Sequence, residues 1–145
     1  MQKTVNLYQT SQENLYKAAC QLLSKCYKEG LRTLVVVQDE EKSQMLDNLL
    51  WSFAQKDFIP HALSSDPLFE EHPIIISHTE VDHSKLDLKN FNTLVLIENF
   101  ENSFTNFQKT IVFFTKNDQA KALKLSTSSS KHYVQDDKGQ WSLYS

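Results

Sequence analysis

A chain of 145 residues with 40% hydrophobic and 11% aromatic side chains can enclose one core but not two, and its two glycines and three prolines leave little room for a linker. A net charge of −3 with Arg32 as the sole arginine excludes a protein whose main task is gripping nucleic-acid phosphates, so little or no direct nucleic-acid binding is expected. No stretch approaches the roughly 20 apolar residues that span a bilayer, and Met1-Gln-Lys-Thr-Val-Asn6 lacks a signal-like apolar segment; a cytoplasmic chain without membrane contact is expected.

Val5 to Tyr8 reads as a short alternating strand ending at Thr10, where Glu13 three residues on completes a capping-box pattern for a long helix. Leu15, Ala18, Ala19, Leu22, Leu23 and Cys26 form that helix's apolar stripe, Lys17, Gln21, Lys25 and Lys28 its wet side, and Gly30 its stop. Cys20 and Cys26 lie six apart on it, too distant for a bridge, and read as reduced, packed thiols. Leu31 to Val37 is the clearest strand, continuously apolar as in a strand covered on both faces. A second helix runs from about Glu40 to Phe53, with Met45, Leu46, Leu49, Leu50 and Phe53 as its stripe and the acids at 39–41 placed at its positive end.

His61-Ala-Leu63 adds a short strand, Pro73–Ser77 and Thr93–Ile97 two more buried ones, and Thr110–Thr115 a further one. A polar loop spans Thr79 to Lys89. Asp118 reads as the cap of a helix beginning Gln-Ala-Lys-Ala-Leu, and the Ser126–Ser130 run as a loop or frayed helix end. Tyr133-Val, a turn at Asp137-Lys-Gly139 and Trp141–Tyr144 make an edge hairpin. Strands alternating with helices predict a single α/β domain over 1–145, with a mainly parallel sheet flanked by helices, Rossmann-like but without a nucleotide-binding glycine motif.

The residues offer no recognisable catalytic set. Gly30 and Gly139 are too far apart for either phosphate-cradling glycine motif. His61, His72, His78, His83 and His132 lack compact metal-ligand spacing, so no metal is expected and the histidines read as solvent-facing loop residues. No serine lies in a nucleophile elbow, and the carboxylates of 39–41 and 70–71 are accounted for by a helix start and a polar loop. No cofactor is expected.

Two stretches point instead to protein partners. Trp51 lies off the stripe of the second helix, and Pro60 holds Phe58-Ile-Pro-His61 extended, an exit expected to carry apolar side chains to the surface, whereas Phe53 continues the buried stripe. In the C-terminal quarter Lys116, Lys121, Lys124 and Lys131 accompany Phe113, Phe114 and Tyr133, a composition that fits either a solvated helix face or a pocket for an acidic peptide.

The run Leu46-Asp-x-x-Leu-Trp51 followed by Phe58-Ile-Pro-His61 resembles the chi subunit family of bacterial DNA polymerase III, and the remaining elements agree with it in order and spacing. The resemblance implies a non-catalytic adaptor in the clamp-loader assembly. One side would hold a psi-like clamp-loader subunit, through Trp51, Phe58, Ile59, Pro60 and His61. Another would hold the acidic C-terminal tail of single-stranded-DNA-binding protein, through Phe114, Lys116, Lys121 and Lys124. Family members place arginines and an aromatic after the Asp118 position, so the lysines here imply a version without the planar guanidinium fork. The readings from other classes are a small α/β enzyme, which requires a pocket with converging polar groups, and a nucleotide-sensing domain with a phosphate site not built on glycine.

Overall fold

Continuous apolar runs become the middle of the sheet because both faces of these strands are covered. In the computed structural model, which describes residues 4–53, 59–67, 71–86, 88–100, 107–127 and 129–144, every residue of Thr33–Val37 and of Thr93–Ile97 is buried. Numbered in chain order the strands are β1 (Thr4–Gln9), β2 (Thr33–Val37), β3 (His61–Leu63), β4 (Ile74–His78), β5 (Thr93–Ile97), β6 (Lys109–Phe114), β7 (His132–Gln135) and β8 (Trp141–Leu143). The helices are α1 (Leu15–Lys28), α2 (Glu40–Phe53) and α3 (Gln119–Leu123).

The described strands form one sheet in the order β3-β4-β2-β5-β6-β1-β7-β8, parallel throughout except for the β7–β8 edge hairpin. Alternation along each strand divides the core in two. Val35, Val37, Ile76, Val95, Ile97 and Phe113 meet α1 and α2 on one face. Leu34, Val36, Ile75, Leu96, Val112 and Phe114 meet Phe91, Phe107 and Ala122 of α3 on the other. The α/β sheet expected from the alternation of elements is therefore present, with its two long helices on the same side.

The ends of α1 show where local signals held and where they did not. At its C-terminus Gly30 adopts φ +76°, its amide bonds Tyr27 O, and the Leu31 amide reaches back to Cys26 O, the paired bonds of a Schellman stop that Gly30 was expected to provide. At the N-terminus the expected capping box does not form. The Thr10 amide continues the sheet by bonding Phe114 O, and its hydroxyl donates to Gln135, so the helix begins later, behind Asn14, with no side-chain cap. Sheet continuity outcompetes a cap whose contribution is about 1 kcal/mol.

Helix α2 starts where Asp39 Oδ1 accepts the Lys42 amide at 2.9 Å, with Glu40 and Glu41 in its first turn, as the acidic run implied. Its core face is narrower than expected: Leu46 and Leu50 are buried, Leu49 and Phe53 partly so, and Met45 is exposed. Asp118 occupies the N-cap position of α3, as expected, but its side chain makes no capping hydrogen bond. A 3-10 turn over Lys116–Asp118 leads directly into the helix, and the Asp118 carboxylate stands 3.8 Å from Lys121 Nζ instead. The expected hairpin is present at the sheet edge. Its turn is held by Asp136, whose Oδ1 accepts the amides of Lys138 and Gln140, while Gly139 supplies φ +84°. Cys20 and Cys26 are free and buried, and burial pushes the Cys20 thiol up to about 12, which leaves it unreactive at neutral pH. Among the described residues no helix is long and apolar enough to cross a membrane.

Candidate protein-docking surfaces

Asp47 and Trp51 lie one helical turn apart on α2, and that spacing brings a carboxylate and an indole over the same point of the sheet. The point is His61, the first residue of β3. The imidazole lies with its centroid 4.6 Å from that of the Trp51 ring, tilted by 54°. Its Nδ1 is 2.7 Å from Ile59 O and its Nε2 is 3.1 Å from Asp47 Oδ1. The His61 side chain is wholly enclosed, whereas Trp51 remains 51% exposed.

This arrangement corrects the expectation for the exit from α2. Ile59 is buried in the α1/α2 core and His61 is buried with it, because β3 pairs with β4 in the register His61↔Ile74 and α2 packs across both strands. Pro60 is half-buried. Trp51 and Pro60 therefore reach the surface, Ile59 and His61 support them from below, and Phe58 lies outside the described residues, as do Glu70 and Ser128. His61 also departs from the reading of the histidines as solvent-facing, and His83 does too, since its Nε2 bonds Ser77 Oγ at 2.7 Å.

The C-terminal surface is likewise divided between core and exterior. Phe114 is fully buried in the second core cluster, since both faces of β6 are covered, so it cannot contact a partner directly. Lys116, Lys121 and Lys124 are exposed. Phe114 shares its cluster with Ala122 of α3, and its ring lies 5.5 Å from His132, which stacks on Tyr144 at 4.5 Å. Leu123, Leu143 and Tyr144 are exposed apolar residues of this quarter that the sequence pattern missed. Burial lowers the His132 pKa, which keeps the ring neutral at pH 7 and suited to stacking.

Between α1 and α2 runs an open groove of about 610 Å³ with Tyr16, Met45 and Leu49 among its walls and Lys17 and Lys42 on its rim. No trio of histidine, cysteine, aspartate or glutamate side chains among the described residues is placed to hold a metal ion.

A profile of the family described as DNA polymerase III chi subunit, HolC, matches residues 1–135. The chain belongs to the DNA polymerase III chi subunit family. The probable chi subunit of Rickettsia prowazekii is 35% identical over 72 residues, or 50% of this chain and 44% of that protein. The chi subunit of Pseudomonas aeruginosa is 32% identical over 72 residues, covering 49% of its length, so the chain spans about half the length of these two relatives. The chi subunit of Haemophilus influenzae aligns end to end, 26% identical over 99% of this chain and 96% of that one. Among solved structures, domain 2 of the Mss116p DEAD-box helicase bound to an RNA duplex is similar with a TM-score of 0.65 over 95% of this chain and 66% of that one. At 13% identity that likeness concerns the fold alone.

In this chi-family chain the C-terminal ends of the central strands are tied by side chains the sequence reading did not single out. Asn99 Nδ2 donates to Thr79 Oγ1 at 2.9 Å and to Val37 O at 3.3 Å, joining the loops after β4 and β5 to β2. Beside it Glu98 adopts φ +52°. Tyr16 is 7% exposed; burial, together with the nearby Glu98 and Asp39 carboxylates and the pairing of its hydroxyl with Glu98, raises its pKa and keeps the phenol neutral. Removing one member of a buried polar pair leaves the other without its partner, at a cost in stability. Tyr16→Phe is accordingly expected to lower stability by about 1 kcal/mol in urea unfolding, and a gain of similar size would mean that the hydroxyl is unpaired in the folded chain.

Proposed function

We propose that this chain is a non-catalytic accessory subunit of the DNA polymerase III holoenzyme, acting in DNA replication as an adaptor between two proteins. Its Trp51 face docks a psi-like subunit of the clamp loader. Its α3 face receives the acidic C-terminal tail of single-stranded-DNA-binding protein. Family membership supports the first part of this reading. The observation that carries the adaptor role is Trp51, a large aromatic half exposed on a helix yet fixed against a buried histidine. Preordered aromatics of this kind concentrate binding energy because little side-chain entropy remains to be lost.

For the tail, the exposed Lys116, Lys121 and Lys124 supply cationic partners, and the exposed Leu123 and the His132–Tyr144 stack supply apolar ones. Lysine contacts at an exposed site are screened by salt. A peptide carrying the acidic end of single-stranded-DNA-binding protein is expected to bind with an affinity that falls as salt rises from 50 to 300 mM, and Lys121→Ala and Lys124→Ala are each expected to weaken it about threefold to tenfold. Calorimetric titration reads both. Unchanged affinity in the two variants removes the tail from this face.

A further inference from the structure

The apolar stripe of α2 is wider than the core it serves. Leu46 and Leu50 are buried, but Met45 is 39% exposed and Leu49 only partly covered, and these two lie one turn apart on the same flank of the helix. At about 100° per residue that flank points nearly opposite to the one that carries Trp51, so the two surfaces are separate. From α1 Tyr16 adds an aromatic wall, and together these side chains line the open groove of about 610 Å³ between the two helices. The rim is cationic. Lys42, half-buried in the first turn of α2, holds its ammonium 5.9 Å from the centroid of the Tyr16 ring, and Lys17 lines the groove from α1. Among the described residues neither lysine forms an ion pair, and Glu13 is the acid that lines the groove. Open apolar surface beside two uncompensated cations is complementary to a ligand that is apolar along its middle and acidic at its sides.

We propose that the α1/α2 groove is a docking surface distinct from the Trp51 and α3 faces, and that it seats an acidic amphipathic helix of a partner polypeptide. The apolar stripe of that helix lies on Tyr16, Met45 and Leu49, and its carboxylates pair with Lys17 and Lys42. The backbone decides for a helix over an extended segment. The groove is lined by α1, α2 and the turn before α1, with no strand at its border, so an extended peptide would find no sheet edge to pair its amides and carbonyls, whereas a helix satisfies its own. Along α2 the groove runs from Lys42 to Ser52, about 15 Å at 1.5 Å per residue, the length of about three helical turns. Met45 suits such a seat, because an unbranched thioether adapts to the side chains that meet it.

The test uses the full nitrogen-labelled chain and a synthetic probe, a helical peptide of about 14 residues with leucines at 3/4 spacing on one face and glutamates elsewhere, beside a counterpart with lysine in place of every glutamate. The glutamate peptide is expected to move the amide resonances of residues 12–17 and 42–52, saturably below about 1 mM and less readily as salt rises, and the lysine peptide to leave them in place. Lys42→Glu, an acid in a first helical turn, and Met45→Glu, at an exposed position, should both fold, as urea unfolding verifies. The first is expected to weaken binding about tenfold and the second to abolish it. Groove resonances unmoved at about 1 mM peptide, shifts confined to residues 116–124 or to the Trp51 face, equal binding of both peptides, or full affinity in the two variants overturns the proposal.

Discussion

Trp51→Ala is expected to leave the fold intact and to weaken binding of a psi-like partner by about 30-fold to 700-fold, the equivalent of roughly 2–4 kcal/mol for a tryptophan anchor. The two effects separate because the side chain is already 51% exposed, with its ring against that of His61. Truncation of this half-exposed side chain is therefore expected to remove about 1 kcal/mol from folding. Calorimetric titration with psi, paired with urea unfolding of the free variant, reads both quantities. A variant that binds as tightly as the parent would show that the exposed indole is not the anchor. A variant that fails to fold would show that the indole serves the core rather than a partner.

The largest effect on stability is expected at Phe113. Its side chain is 1% exposed on β6, between β5 and β1, and it faces α1 and α2. Its ring stacks on Tyr8 at 5.3 Å; Tyr8 in turn stacks on Tyr133 at 5.0 Å and meets Trp141 edge-on at 5.3 Å. Phe113→Ala removes both the buried ring and the base of an aromatic row that leads to the edge hairpin. The expected loss is about 3–5 kcal/mol, from lost apolar transfer and the remaining cavity. Against a total of roughly 5–15 kcal/mol this is enough to leave the chain marginal at 37 °C. Urea unfolding followed by tryptophan fluorescence measures it, and the Trp141 emission should change in the folded baseline as well. A loss below about 1.5 kcal/mol would mean that neighbours collapse into the space.

The same strand shows what a sequence pattern can and cannot assign. Thr110-Ile-Val-Phe-Phe-Thr115 is legible as a strand, but two consecutive phenylalanines point to opposite faces of a sheet, and whether both are buried depends on what covers each face. Here α1 and α2 cover one and α3 with Phe91 and Phe107 the other, so Phe113 and Phe114 are both core and neither lines an external pocket. The exit from α2 carries the same lesson. Pro60 does favour an extended chain, yet extension gives no direction, and pairing of β3 with β4 turns Ile59 and His61 inward. Trp51, whose position off the α2 stripe is a property of helical spacing alone, was legible as exposed.

By itself the sequence determined the strands that are apolar throughout, the span of α2, the glycine stop of α1 and the edge hairpin, because each follows from interactions among residues close in the chain or from the composition demanded by burial on two faces. Tertiary structure decided the start of α1, where pairing of Thr10 with Phe114 displaces a local cap, and the burial of His61, whose partners Asp47 and Trp51 come from a helix earlier in the chain. Periodicity records which side of an element is apolar. It does not record which other element arrives to cover that side, and the cost of leaving a polar ring enclosed is met only by groups that folding brings from elsewhere.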